Sequence, residues 1–487
     1  MFVIFKLTTA QIIDSTKVYK KRVLENTEVD LLMSLYNQDG SHSPVNGGIG
    51  TEKLVDSTPT IVITIPLNDD DVLTVDVGIS AYTSASSSNI NPFKSVASTL
   101  KGASLDNNIT GASRGGGQVT YPNSPSTPVT YVPIGTPWIA STGASRSDIL
   151  KTIHTDYSHS SDTRNFIWGS NLSFSKEFDY ISYGLGGNIT GIFNEKNTEL
   201  GLKGSAYLDT WRPFYPTELR EYKDYGTNFQ SLGYFKGVTI LNQSGIASKE
   251  YLPNKFKSWD HNGRNSYTLS FFVSQILSKR FQMALFFDLV MQQGMLSTPY
   301  HRMYFADKQN YYIGAASEIP FYTTSINEHV YQLADDIERM PESRLKLPLG
   351  VRLNYYINEM FVLRSYYRYY IDDWGLKANT MNFDFPVKLG QAFTVTPSFR
   401  FYQQNQVDYF APFETHLSTE KYYTSDYDLA KFTSKQYSLS INYTDIFTSL
   451  KISSFGFKNI NIKLSRYTRS DGLNANIISV GLKFVGQ

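Results

Sequence analysis

The chain has no cysteine among its 487 residues. Disulfides, zinc–thiolate sites and a thiol nucleophile are therefore excluded, as is covalent haem attachment. Strong charge is also lacking: 45 basic residues balance 44 acidic ones, for a net charge of +1. No overall electrostatic footprint for nucleic acid follows from that balance. The mean hydropathy is −0.29, and no apolar run reaches the roughly 18 residues that a membrane-crossing helix needs. A helical membrane protein is excluded. The one Gly-x-Ser-x-Gly match, Gly111-Ala112-Ser113-Arg114-Gly115, and the adjoining Gly115-Gly116-Gly117 lie in a Ser/Gly/Asn/Pro-rich stretch rather than between a strand and a helix. The sequence thus predicts neither an α/β-hydrolase nucleophile nor a phosphate-binding loop, and no cofactor is expected.

What the chain has in quantity is aromatic residues, 35 Tyr and 31 Phe, and a two-residue alternation. Phe281, Met283, Leu285, Phe287, Leu289 and Met291 share one side of an extended chain, with Gln282, Ala284, Asp288 and Gln292 on the other. Successive side chains of a strand point to opposite faces. Similar patterns run through Val29–Leu35, Ile61–Leu67, Leu73–Ile79, Phe166–Phe174, Ile181–Phe193, Leu200–Leu208, Tyr267–Val273, Leu345–Tyr355, Phe361–Ile371, Met381–Val387, Phe393–Phe401 and Tyr437–Tyr443. A weaker strand is predicted at 148–159 and two last strands near 460–469 and 474–486, with region 446–459 undefined. Soluble strands average about 5–6 residues. Runs of about 10–15 residues with one apolar face have the length of a tilted strand crossing a bilayer. The fold class predicted is all-β, a transmembrane antiparallel up-and-down β-barrel of about 16 strands.

Tight turns at Asn68–Asp71, Asn194–Asn197, Ser278–Arg280, Asn358–Met360 and Gly390–Gln391 all fall at one end. Long segments, about 37–57, 85–147, 211–264, 296–343 and 410–434, fall at the other and are expected to be extracellular. Residues 27–487 are assigned to the barrel. Residues 1–26 are assigned to a signal-peptide remnant (Met1–Leu7, then Thr8-Thr9-Ala10 before Gln11) and a periplasmic segment. An apolar last strand, Ile478, Val480, Leu482 and Phe484, suits recognition by barrel-assembly machinery. Outer-membrane lipid and lipopolysaccharide are expected around the belt, with no nucleic-acid partner.

Several segments carry a resemblance: Val18–Glu25, Ile65–Leu73, Tyr157–Asn165, Phe193–Leu200 and Thr298–Arg302. The chain resembles a family of Bacteroidetes outer-membrane proteins defined as a domain of unknown function. The resemblance implies an outer-membrane barrel. It also implies genes beside a flavin transferase, a thioredoxin-like protein and a small lipoprotein, hence an envelope redox system with a lipoprotein partner.

Four groups of residues could carry function. Arg352, Arg364, Arg368, Lys388 and Arg400, with Asp372 and Asp384, sit on the polar faces of late strands. Such a charge ladder could select solutes or brace the wall. Asp260-His261 and Asp372-Asp373 near the rim could activate water, though a hydrated loop histidine is by far the better account of the former. Asn68–Asp71, and Asp335-Asp336 with Glu338, offer oxygen ligands for a cation or form acidic turns. Trp211–Pro216 and Asn310-Tyr311-Tyr312 are aromatic loop segments suited to binding or plugging. The function expected is a channel or transport component for small solutes and not an enzyme. A non-conducting scaffold for a lipoprotein or redox partner is the alternative, and an outer-membrane hydrolase the third reading.

Overall fold

The computed structural model describes residues 22–83, 104–105, 119–120, 147–322 and 330–487. The leader assignment falls mostly outside the described residues, as does most of the 85–147 segment. One antiparallel sheet contains eighteen segments, two of them the short pieces Val387–Leu389 and Lys451–Ile452. The other sixteen are full strands. They are β1 (Glu28–Asp39), β2 (Leu54–Pro66), β3 (Asp71–Thr83), β4 (Ser147–Ser160), β5 (Phe166–Lys176), β6 (Tyr180–Phe193), β7 (Thr198–Trp211) and β8 (Gly263–Ser278). β9 (Phe281–Gly294), β10 (Ser343–Tyr356), β11 (Val362–Asp372), β12 (Lys377–Asp384), β13 (Phe393–Gln404), β14 (Phe432–Thr444), β15 (Phe455–Arg469) and β16 (Asn474–Gly486) complete the set. Each pairs with the next, and β16 pairs with β1 along its whole length. The sheet is a closed sixteen-stranded barrel with no free edge. Lys483 ties the closing seam, 2.8 Å from Glu28 and 3.4 Å from Asp30.

The alternation resolves into two surfaces. A hydrogen-bonded row from Leu482 through Leu31, Ile61, Val77 and Ile153 to Phe174 runs outward. Leu172, Leu185, Leu285, Leu439 and Leu464 are likewise exposed on the outside. Such a surface is stable only against lipid, because each exposed Leu or Ile forfeits about 1.5–3 kcal/mol of possible burial in water. Near the turn end the outward rings Phe281–Tyr355, Phe393–Tyr443 and Phe457–Phe484 pair across strands at 6.4, 5.0 and 5.8 Å. They form an aromatic girdle, where an apolar body and a polar tip suit the membrane interface.

The strand ends joined by the long segments 40–53, 84–146, 212–262, 295–342 and 405–431 all lie at one end, as predicted, but three connections at that same end, 177–179, 373–376 and 470–473, are tight turns. The β15 strand begins at Phe455, earlier than the residue 460 expected, after a short hairpin formed by Lys451–Ile452. The alternation is masked there by a register shift between Phe457 and Asn459, where one extra residue swaps the apolar set between faces.

The hydrophobic core among the described residues lies outside the barrel, in its loops. Phe229, Phe235, Ile240, Tyr251, Tyr311, Ile313, Tyr331 and Leu333 form one cluster. A second holds Tyr215, Leu219, Phe256, Tyr304, Ala334 and Ile337. A third, Met340, Trp374, Leu376, Val407, Phe410 and Ala430, joins the loops to the rim. Helix α1 (Thr217–Tyr225) and a three-stranded sheet of Ile240–Asn242, Tyr311–Gly314 and Val330–Leu333 frame this cap.

The cap spans the mouth. The β1–β2 and β9–β10 loops leave rims eight strands apart in a ring of sixteen, so they start on opposite sides. They nevertheless touch: a Cβ on Gly47 (φ 74°) would stand 2.7 Å from the Tyr304 ring. A Cβ on the neighbouring Gly48 (φ 94°) would stand 2.8 Å from the Ser425 carbonyl oxygen on the β13–β14 loop. Both glycines occupy a left-handed backbone that other residues rarely adopt, and both permit the contact that closes the roof.

Candidate functional site: the lumen wall and its cap

On β9–β13 the even-numbered residues face the lumen. Register places Phe286 beside Gly350, Arg352 beside Tyr366, Arg364 beside Asp384, and Asn382 beside Arg400. Gly350 has a local purpose. Its absent side chain lets the Phe286 ring cross β10 and stack on Tyr366, with centroids 5.5 Å apart and planes 11° from parallel. Arg352 lies 5.9 Å from the Tyr366 ring centre, at the outer reach of a cation–π contact. Together Phe286, Arg352, Arg364, Tyr366, Asn382, Asp384 and Arg400 line a cavity of about 700 Å³. Three guanidiniums face one carboxylate there.

The structure thus brings Arg352, Arg364, Asp384 and Arg400 of the sequence-derived ladder into one cavity. Arg368, on the same face of β11, lies 5.9 Å over the Tyr370 ring, and its Nε is buried without a hydrogen bond. Lys388 is in register with Thr394 on the same face, outside the cavity lining. Asp372 is placed elsewhere. It is buried at the rim and accepts from Arg344 Nε at 2.8 Å, from the Tyr370 hydroxyl at 2.7 Å, and from the Trp374 and Leu376 amides at 3.0 Å. That set of donors makes it the anchor of the β11–β12 turn.

The opposite wall is acidic. Asp56, Asp76 and Asp156 face the lumen from β2, β3 and β4, in register with Tyr82, His154 and Asn171. These strands stand eight places from β10–β12, so carboxylates and guanidiniums confront each other across the lumen. Opposed rows of fixed charge create a field between the two walls.

The remaining sequence candidates do not assemble as their spacing suggested. His261 faces Glu342 at 3.5 Å, and Asp373 accepts from the Leu345 amide at 3.0 Å. The acidic turn is internally satisfied: Asn68 Oδ1 accepts from the Asp70 and Asp71 amides, Asp69 pairs with Arg22 and Asp70 with Arg164. Asp335, Asp336 and Glu338 diverge. Asp335 accepts from the Phe305 amide at 3.0 Å, and burial pushes it up to about 7. Asp336 pairs with Arg339 at 2.8 Å and accepts from the Tyr423 hydroxyl at 2.6 Å. Glu338 turns instead toward His301 and Asp426. Burial alone would lower the His301 imidazole, but the Glu338 carboxylate holds it above its ordinary value. Burial, reinforced by nearby Asp428, pushes Asp426 up to about 7. The aromatic segments Trp211–Pro216 and Asn310–Tyr312 both enter the cap: Tyr215 is in its second cluster, Tyr311 in its first.

The family described as Protein of unknown function (DUF3570) matches residues 7–476. The chain belongs to this family. No curated relative matches the sequence. Among solved structures, the DUF3570 barrel is similar to a bacterial polysaccharide outer membrane secretin at 8% identity, covering 95% of this chain and 99% of that one, with a TM-score of 0.40. It is similar to OccK2 (OpdF) of Pseudomonas aeruginosa in complex with glucuronate at 8% identity, covering 96% and 98%, with a TM-score of 0.36. A mutant of the TodX monoaromatic hydrocarbon channel gives 9% identity, 95% and 91% coverage and a TM-score of 0.36. Likeness this distant says nothing of what this chain carries.

Proposed function

We propose that this DUF3570 barrel lies in the outer membrane of a Gram-negative bacterium, a Bacteroidetes envelope by resemblance, and passes small anionic solutes under control of its cap. The observation that carries the proposal is the placement of Arg352, Arg364, Arg368 and Arg400 on one side of the ring and of Asp56, Asp76 and Asp156 on the other. The basic side holds the cavity, so an anion dwells there and a cation is drawn to the other wall. Under this proposal the girdled belt contacts outer-membrane lipid and lipopolysaccharide, and assembly machinery inserts the barrel. The chain performs no catalytic step in this role.

The test is the reversal potential of purified protein in a planar bilayer under a salt gradient. Native protein is expected to favour anions, and Arg352→Gln, Arg364→Gln and Arg400→Gln together to abolish the preference. Cation preference, or anion preference unchanged in the triple variant, refutes the proposal. The roof formed by opposite loops favours one second reading, a non-conducting scaffold that holds a small lipoprotein or envelope redox partner. A folded barrel that never conducts, even after proteolytic removal of the cap, supports that reading instead.

A further inference from the structure

Among the described residues, one trio of metal-ligating side chains converges. His301 and Glu338 come from the two ends of the β9–β10 loop and Asp426 from the β13–β14 loop, and one ligand atom from each lies within 4.8 Å of the others. The charge ladder plays no part here. His301 is 7% exposed and Glu338 3%. The His301 Nδ1 is buried with no hydrogen bond, and it points at Glu338 Oε1, 3.6 Å away and beyond hydrogen-bond reach. A buried ring nitrogen left without a hydrogen bond is costly and uncommon. The carboxylates around it are held from behind: the Thr298 amide donates to Glu338 Oε2 at 2.7 Å, the Thr424 hydroxyl donates to Oε1, and the Asp428 amide donates to Asp426 Oδ1 at 2.9 Å. The Tyr300 ring stands edge-on to the imidazole at 5.2 Å and restrains its orientation. Oriented ligands with hydrogen-bonded supports are the arrangement of a metal centre.

We propose that His301, Glu338 and Asp426 bind one divalent transition-metal ion of the zinc class, which staples the β9–β10 loop to the β13–β14 loop. An imidazole with two carboxylates favours zinc over calcium or magnesium, which prefer all-oxygen shells. Metal–ligand distances of about 2.0–2.2 Å require these atoms to close in by roughly 1 Å, within side-chain reach. Three protein ligands leave a fourth position for water. The ion neutralises two carboxylates that otherwise share a buried site, and it gives His301 Nδ1 a direct bond in place of a carboxylate oxygen 3.6 Å away. The staple is independent of whether the barrel conducts.

The test uses the full-length barrel in detergent, stripped with chelator and dialysed. Zinc is then titrated calorimetrically and bound metal is counted by mass spectrometry. Native protein is expected to take up one equivalent, with protease cleavage within 295–342 and 405–431 slowed by zinc and restored by chelator. His301→Gln and Asp426→Asn are each expected to weaken uptake at least tenfold while the barrel keeps its heat-modifiable mobility. Absence of stoichiometric uptake overturns the proposal. So does uptake that survives His301→Gln, which places the zinc on other histidines. Should a variant fail to fold, native protein decides: zinc and chelator without effect on cleavage of those two loops overturn the staple.

Discussion

Arg302 and Glu218 form a buried ion pair at the centre of the cap, and replacing Arg302 with Met isolates its contribution. Their side chains are 1% and 0% exposed. Arg302 donates from Nε to Glu218 Oε1 at 2.7 Å and from Nη2 to Oε2 at 3.2 Å, and the Ala334 amide also donates to Oε1 at 3.2 Å. The carboxylate sits by the cluster of Tyr215, Leu219, Tyr304 and Ala334. Met fills much of the volume of Arg, so packing is largely retained while the counter-charge is lost. Removing one partner of a buried pair typically destabilises by about 3–5 kcal/mol. At about 1.4 kcal/mol per factor of ten, local opening of the cap becomes roughly a hundred to a few thousand times more frequent. Native-state hydrogen exchange reads this directly. Amides of Thr217–Tyr225 and 330–340 are expected to exchange at least a hundredfold faster, while those of β14–β16 keep their protection. Adding Glu218→Gln should recover most of the loss, since a neutral amide tolerates burial better than an unpaired carboxylate. Unchanged exchange in Arg302→Met, or a double variant looser than the single one, would refute this account.

Two further perturbations probe the wall and the cap. Gly350→Val places a Cβ 2.0 Å from the Phe286 ring, which must leave its stack on Tyr366. A loss of about 1–3 kcal/mol is expected, read as a lower midpoint for heat-modified mobility, and an unshifted midpoint contradicts the packing described. Asp335 is raised from 3.8 to about 7 in the folded cap. The folded state therefore holds a proton that the unfolded chain releases, so this group weakens the cap as pH rises from about 4 through 7. Asp335→Asn keeps an oxygen to accept from the Phe305 amide and cannot ionise. It should slow protease cleavage of the cap above pH 7 and change nothing near pH 4, whereas an equal effect at both would exclude titration as the cause.

Most of the barrel was legible in the sequence because alternation is a local signal. The run Phe281–Met291 states its own outward face, and Asn68–Asp71 states its own turn. The basic ladder was readable for the same reason, since parity along β10 and β11 assigns a face to Arg352, Arg364 and Arg368. The facing wall of Asp56, Asp76 and Asp156 was not, because its position opposite the arginines exists only once the ring has closed. Asp372 looked like another rung. Its donors include Arg344, Trp374 and Leu376, a geometry fixed by the turn rather than by strand parity. Least legible was the cap. Segments 211–264, 296–343 and 410–434 have no hydrophobic period, and contacts such as Glu218 with Arg302 or Glu338 with Asp426 join separate loops. Clusters assembled from irregular backbone leave composition as their main trace, here the surplus of Tyr and Phe.

The roof also imposes an order in time. Gly48 lies before the second strand and Ser425 before the fourteenth, so their contact waits until nearly the whole chain has been threaded into place. Contacts between such distant residues come late, after the intervening loops have been closed. A half-built barrel therefore has an unroofed mouth. Completion of the cap is thus a report that the β13–β14 connection is in place.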